Sequence, residues 1–92
     1  MDRLVSRLIL GLGGAENVVD IEPCIQRIRV EVRDPAAVDE TLLRQPEVLA
    51  VVRSGEVVQI VAGRISDDLA DKISHATGVP LHTVANNAPS TP

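Results

Sequence analysis

The fold is decided by residues 18–33, which read VVDIEPCIQRIRVEVR. Within 26–33 polar and apolar residues alternate strictly from Arg27 onward, which predicts a β-strand with one buried and one exposed face. The preceding run, 17–22, is rich in Val and Ile and predicts a partner strand. Residues 23–25 predict a turn between them, because proline has no N–H to donate and is disfavoured inside a central strand. The predicted hairpin buries Ile28, Val30 and Val32 of its second strand and exposes Arg27, Arg29, Glu31 and Arg33.

The predicted turn carries the chain's single cysteine, Cys24. Arg27 and Arg29 lie on the face away from the core, so the pattern brings a thiol near two guanidinium groups. Cations favour the thiolate, which is the nucleophilic form of cysteine, and a turn leaves the sulfur accessible. A lone cysteine is more often a small buried apolar residue, and two arginines on one strand face are more often a solvated surface. The spacing between Cys24 and the two arginines favours a functional site.

Helices are predicted on either side of this hairpin from apolar residues at helical spacing and from capping residues. The first helix begins at Asp2 and ends at the glycines of 11–14. The second has Asp34 as its N-cap and Pro35 at its first helical position, and it ends near Pro46. The apolar stripes of the two helices are Leu4, Val5, Leu8 and Ile9, and Val38, Leu42 and Leu43.

A second hairpin and a third helix complete the chain. Two β-branched runs, 48–53 and 57–62, are separated by Ser-Gly-Glu at 54–56, which predicts a hairpin. Ser66 is the predicted N-cap of the third helix, and Gly78 is its stop signal. The predicted buried residues of that helix are Leu69, Ile73 and Ala76.

The order of these elements, α-β-β-α-β-β-α, predicts the α+β class. Two hairpins joined through a helix pack as a four-stranded antiparallel sheet with three helices on one face. We expect one domain over residues 1–78. Residues 86–92 are small, polar and interrupted by prolines, so we expect the C-terminal tail, 79–92, to be mobile.

Composition limits the function classes that a chain of 92 residues can serve. The chain contains no aromatic residue, and its formal net charge is -4, which opposes nucleic-acid binding because that needs a basic surface. A single cysteine cannot form an internal disulfide or supply a structural zinc site, so we expect a reducing compartment. No apolar run approaches the roughly 20 residues that span a bilayer, and the N-terminal pattern is not that of a signal peptide.

The stretch from Asn17 to Val30 resembles the phosphorylation-site signature of the IIB components of bacterial sugar phosphotransferase systems, in their glucose and N-acetylglucosamine branch. In that signature an asparagine precedes the active cysteine by the spacing between Asn17 and Cys24, and alternating arginines and aliphatic residues follow. The likeness covers roughly residues 4–77 in matching order. Gln26 stands where the family usually has threonine.

The resemblance implies a cytoplasmic phosphocarrier, a transferase component held at the inner face of the membrane by its IIC partner. Cys24 is then expected to accept a phosphoryl group from a phosphohistidine of a IIA partner and to pass it to a hexose bound by the membrane component IIC. Arg27, Arg29, Gln26 and the backbone of Ile25 are expected to surround the phosphoryl oxygens. The resemblance implies no metal and no cofactor, and it leaves the sugar open among glucose, N-acetylglucosamine and related hexoses.

The same residues allow other interpretations. A cysteine phosphatase normally has an arginine six positions after its nucleophile, where this chain has Val30, so that class is disfavoured. His75 and His82 are poor candidates for phosphorylation, since a histidine near a helix end is usually structural. The alternative that stays open is a non-catalytic regulatory or binding module on a degenerate IIB scaffold, which recognises a partner through its arginine face.

Overall fold

A computed structural model describes residues 1–82 of the chain. The helices are α1 (Asp2–Gly11), α2 (Glu40–Leu43) and α3 (Ser66–Thr77). The strands are β1 (Val18–Cys24), β2 (Arg27–Val32), β3 (Ala50–Ser54) and β4 (Val57–Val61). Short 3-10 turns span Ala15–Asn17, Pro35–Ala37 and Gly63–Ile65. The order confirms the predicted α-β-β-α-β-β-α arrangement.

The four strands form one antiparallel sheet in the order β1-β2-β4-β3. The helices cover one face of this sheet, and the apolar side of each alternating strand packs beneath them, as predicted. The core is aliphatic because the chain has no aromatic residue to bury. Its fully buried side chains include Leu8, Leu12, Ile21, Ile28, Val30, Leu43, Val58, Ile60, Leu69 and Ile73.

The predicted turn at 23–25 is wrong in its bounds. Pro23 and Cys24 belong to β1, where they pair with Ile28 and Arg27, and only Ile25 and Gln26 form the turn. Proline is tolerated here because β1 lies at the edge of the sheet.

The predicted single helix from Asp34 is also wrong, because the segment divides at Val38. The Asp34 side chain accepts a hydrogen bond from Ala36 N at 3.0 Å and caps only a 3-10 turn. Val38 is extended, and a second aspartate, Asp39, accepts from Thr41 N at 3.0 Å to cap α2. Two capping side chains within six residues each begin their own short turn.

Helix α3 begins and packs differently from the prediction. Ser66 is its first residue rather than its cap, and within residues 1–82 its buried hydroxyl oxygen has no hydrogen-bond partner. Ala76 is exposed, and Ala70 is buried beside the predicted Leu69. Gly78 ends the helix in the left-handed conformation at φ 78°, as predicted.

The segment that follows α3 lies beside β1. Leu81 is half-buried and forms a parallel bridge with Ile21, and His82 N donates to Ile21 O at 2.7 Å. The expected mobile tail at 79–92 lies outside the described residues from 83 onward, and the boundary at 78 stays a prediction.

Candidate functional site

The sheet face opposite the helices, called the outer face below, collects the candidate site residues in rows. Side chains of directly paired residues point to the same side of a sheet, so the strand register defines each row. The row nearest the β1–β2 turn is Cys24, Arg27, Val61 and Ala50. The middle row is Glu22, Arg29, Gln59 and Val52, and the far row is Asp20, Glu31, Val57 and Ser54.

Cys24 is the last residue of β1 and is a free, half-buried thiol. Its Sγ donates a hydrogen bond to the carbonyl oxygen of Glu22 at 3.7 Å, and a thiol is a weak donor. The next residue, Ile25, is 86% exposed at the tip of the hairpin. The thiol is therefore not enclosed by the core.

The turn that follows Cys24 has an unusual backbone conformation at Gln26, whose φ is 61°. A residue with a side chain pays about 1–3 kcal/mol in this left-handed region, unless surrounding contacts hold it there. Here the carbonyl oxygen of Gln26 accepts hydrogen bonds from Ala62 N at 3.3 Å and Gly63 N at 3.1 Å. The loop after β4 thus holds the turn of the first hairpin in place.

That loop is a part of the site that the sequence did not predict. It places the exposed Arg64 one residue from Gly63, which bonds the turn. Gly63 itself has φ 66°. A glycine just after a strand can mark a place where two backbone segments lie close together, and it is the one local feature of the sequence that indicates this contact.

Both predicted arginines extend from the outer face and contact neighbouring side chains. Arg27 Nη1 donates to Gln59 Oε1 at 2.9 Å, and Arg29 Nη1 lies 3.7 Å from Glu22 Oε1. Within residues 1–82 neither guanidinium hydrogen-bonds the sulfur of Cys24. Exposed pairs of this kind are worth about 0–1 kcal/mol, so an incoming anion can displace them.

Asn17, which belongs to the quoted signature, has a structural role at the other end of β1. Its side chain is buried and donates from Nδ2 to Leu12 O at 2.7 Å and to Asp34 O at 3.0 Å. Its Oδ1 accepts from Asp34 N at 2.8 Å. A Cβ on Gly13 would come within 2.5 Å of this amide, so glycine is required there. Asn17 braces the base of the hairpin rather than contacting Cys24.

Comparison with known proteins identifies the family of the chain. The family described as phosphotransferase system, EIIB, matches residues 6–39. The N-acetylglucosamine-specific EIIB component of Streptomyces coelicolor is 42% identical over 67 residues, covering 73% of this chain and 87% of that protein. The chain belongs to the EIIB family of the phosphotransferase system. This family membership confirms the resemblance given above and makes the chain a component of sugar phosphotransfer.

Other EIIB relatives carry the same unit within longer chains. The N-acetylglucosamine-specific EIICB component of Bacillus subtilis is 39% identical over 70 residues, which are 75% of this chain but 16% of that protein. The glucosamine-specific EIICBA component of the same species is 33% identical over 91% of this chain and 14% of its own length. This chain therefore spans only a small part of these two relatives.

A solved structure shows the same fold. One domain of the IIabc component of the phosphotransferase system from Clostridium difficile superposes with a TM-score of 0.64 at 24% identity. The superposition covers 90% of this chain and 85% of that one. Among the helices of residues 1–82, none has the length and apolar character needed to span a membrane.

Proposed function

We propose that the chain is the IIB phosphocarrier of a bacterial sugar phosphotransferase system, with Cys24 as its phosphorylated residue. The single observation that carries this proposal is the position of Cys24. The thiol ends β1 at an accessible hairpin tip, in the same outer-face row as Arg27 and one row from Arg29. A phosphocarrier needs such a nucleophile, because a thiolate both accepts and releases a phosphoryl group readily.

The proposed reaction has two balanced steps. In the first, the Cys24 thiolate attacks the phosphorus of a phosphohistidine on a IIA partner, the P–N bond breaks and a P–S bond forms. The histidine keeps the electron pair and takes up a proton. In the second, a sugar hydroxyl held by the IIC partner attacks the phosphorus, the P–S bond breaks and the thiolate is restored. The hydroxyl proton leaves to a base or to water at the IIC site.

Arg27 and Arg29 would stabilise the charge that develops on the equatorial phosphoryl oxygens during transfer to the sugar. Their present partners, Gln59 and Glu22, are exchangeable, so the guanidinium groups can turn toward an anion on Cys24. Each charge-assisted hydrogen bond contributes about 1.5–3 kcal/mol. That is enough to favour transfer without trapping the phosphoryl group.

The turn offers further donors at the proposed phosphoryl position. The backbone N–H groups of Ile25 and Gln26 donate to no protein acceptor within residues 1–82. Successive free N–H groups at a turn form a concave anion site. The exposed Gln26 amide can supply an additional donor in place of the hydroxyl that the family usually has.

The proposed partners are a IIA protein and a IIC permease at the inner face of the membrane, which would make the chain a cytoplasmic protein associated with it. The names of the EIICB and EIICBA relatives combine the B unit with C or with C and A. An apolar surface on which a partner can dock surrounds Cys24. It consists of the exposed Ile25 next to Cys24 and of Val61 and Ala50 in the same row. N-acetylglucosamine is the first acceptor to test, because two of these relatives are named for it.

A transfer assay with purified components tests the proposal. A IIA donor labelled with radioactive phosphate is incubated with the chain and with its Cys24→Ser variant. We expect acid-stable label on the wild type alone. Absence of label from the wild type would contradict the phosphocarrier function and support the alternative of a non-catalytic module. Label that survives Cys24→Ser would contradict the site.

A further inference from the structure

A second group of ligand-type side chains lies on the outer face, away from Cys24. Asp20, Glu22 and His82 each offer one donor atom, and these atoms lie within 4.8 Å of one another. Asp20 and Glu22 belong to β1, whereas His82 comes from the segment after α3, 62 positions beyond Asp20. The group is therefore assembled by the fold and is not a local feature of the sequence.

The backbone fixes the histidine beside the strand. Leu81 forms a parallel bridge with Ile21, and His82 N donates to Ile21 O at 2.7 Å. As a result, His82 Nδ1 lies 3.2 Å from Asp20 Oδ2. Two ligands of one tetrahedral zinc ion stand about 3.4 Å apart at ordinary zinc–ligand distances. The 3.2 Å at which the two side chains hydrogen-bond is close to that spacing.

The surrounding charges favour a cation at this point. Asp20 pairs directly with Glu31 across β1 and β2, and like charges directly opposite one another destabilise a sheet. A shallow pocket of about 60 Å³ is lined by Asp20, Glu22, Glu31, Arg29 and Val57. Its three carboxylates and single guanidinium leave a formal charge of about −2. A divalent ion would neutralise this charge.

We propose that Asp20, Glu22 and His82 form a binding site for a divalent ion of the zinc type. An imidazole nitrogen with two carboxylate oxygens suits zinc and its neighbours in the first transition series, whereas magnesium prefers oxygen ligands alone. Glu22 can keep one oxygen in its ion pair with Arg29 and turn the other to the metal. The site tethers the segment after α3 to β1 and is independent of the thiol of Cys24.

Calorimetric titration of the untagged chain with zinc chloride tests this site. We expect one zinc ion per chain, with affinity at least about tenfold lower in His82→Ala and in Asp20→Asn. The matched control is His75→Ala, which removes the chain's other histidine from the exposed surface of α3 and is expected to leave binding unchanged. Cys24→Ser is also expected to bind zinc as the wild type does.

Several results would overturn the site. These are no binding at millimolar zinc, equal binding by His82→Ala, loss of binding in Cys24→Ser, or magnesium binding as tight as zinc binding. A spectroscopic measurement on the wild type avoids any effect of substitution on folding. One equivalent of zinc should shift the imidazole resonances of His82 and leave those of His75 in place; a shift confined to His75 would refute the proposal.

Discussion

The two hairpins of the sheet have turns of equal length but differ in how those turns are held. In the β3–β4 hairpin, Gly55 has φ 59° at the first central position, the arrangement that a two-residue hairpin prefers. In the β1–β2 hairpin the positive φ belongs to Gln26, at the second central position, and contacts from the 62–63 loop hold it. One turn is stable by its own residue types, whereas the other depends on the rest of the fold.

The residues directly before the two turns differ in chemistry as well. Cys24 and Ser54 occupy matching places, since each is the last residue before its turn and each lies on the outer face. Only the first is followed by arginines on that face, Arg27 and Arg29. The proposed phosphocarrier site therefore coincides with the hairpin whose turn is imposed by tertiary contacts, and this coincidence can be tested.

Exchanging the two matching residues should have the largest effect. The double variant Cys24→Ser with Ser54→Cys keeps one thiol per chain but moves it to the other hairpin. Phosphoryl transfer to sugar should fall at least roughly 1,000-fold, because the nucleophile is lost from its site. A coupled assay with IIA and IIC measures the rate, and urea unfolding should show nearly unchanged stability. Transfer by the double variant at a rate comparable to that of the wild type would mean that any exposed thiol suffices.

Removing either arginine should give the next largest effect. In Arg27→Ala and Arg29→Ala we expect labelling of Cys24 to persist, while delivery to sugar slows roughly 10- to 100-fold through lost stabilisation of the transferring group. Arg33→Ala is the matched control, since Arg33 follows the far end of β2 and donates to Glu16 O at 3.3 Å. Equal rates for wild type and both site variants would remove these arginines from the mechanism.

The sequence was informative where local patterns determine structure. The alternation of Ile28, Val30 and Val32 with polar residues identified β2 and its buried face, and so put Arg27 and Arg29 opposite the core. These features follow from the period of a strand, which needs no knowledge of neighbours. The same local reasoning placed Cys24 inside the first turn, whereas it is the last residue of β1, directly before that turn.

Long-range contacts explain what the sequence could not predict. The sequence predicts a turn at Pro23 because proline is disfavoured in a central strand. That β1 is an edge strand, where proline is tolerated, follows only from the order of the whole sheet. Gln59 lies 32 positions from Arg27, and the 62–63 loop that holds Gln26 is similarly distant along the chain. Asn17 is indicated only by the resemblance, and its bracing role depends on its hydrogen bonds to Leu12 and Asp34.

The base of the first hairpin should be sensitive to Asn17→Ala. The variant leaves the buried carbonyl of Leu12 and the partly buried N–H of Asp34 without their Asn17 partner, which costs about 2 kcal/mol. Asn17→Asp should cost at least as much, because its carboxylate faces two carbonyl oxygens without donating to them. Urea denaturation measures both, and Cys24 in the folded variants should still accept label. A loss below about 0.5 kcal/mol would refute the bracing role.

A smaller effect is expected at the turn of the second hairpin. Gly55→Ala places a side chain at φ 59°, where strain costs about 1 kcal/mol although no atom lies within 4 Å of the new Cβ. Thermal unfolding should record the loss, and sugar phosphorylation at a temperature where the variant is folded should be unchanged. A variant as stable as the wild type would show that this turn adapts its backbone.

The smallest effect, and the sharpest comparison with Gly55, concerns Gln26→Gly. Glycine relieves the strain of a side chain at φ 61° but gains freedom in the unfolded chain, so we expect net stabilisation of only about 0.5 kcal/mol. If the amide of Gln26 donates to the phosphoryl group, the glycine variant should transfer more slowly although it is the more stable protein. Gln26→Asn keeps an amide and favours the left-handed region, and it should recover part of the rate. Opposite changes in stability and transfer would show that the side chain is kept at this strained position for function. Unchanged transfer in Gln26→Gly would leave only the backbone of the turn at the site.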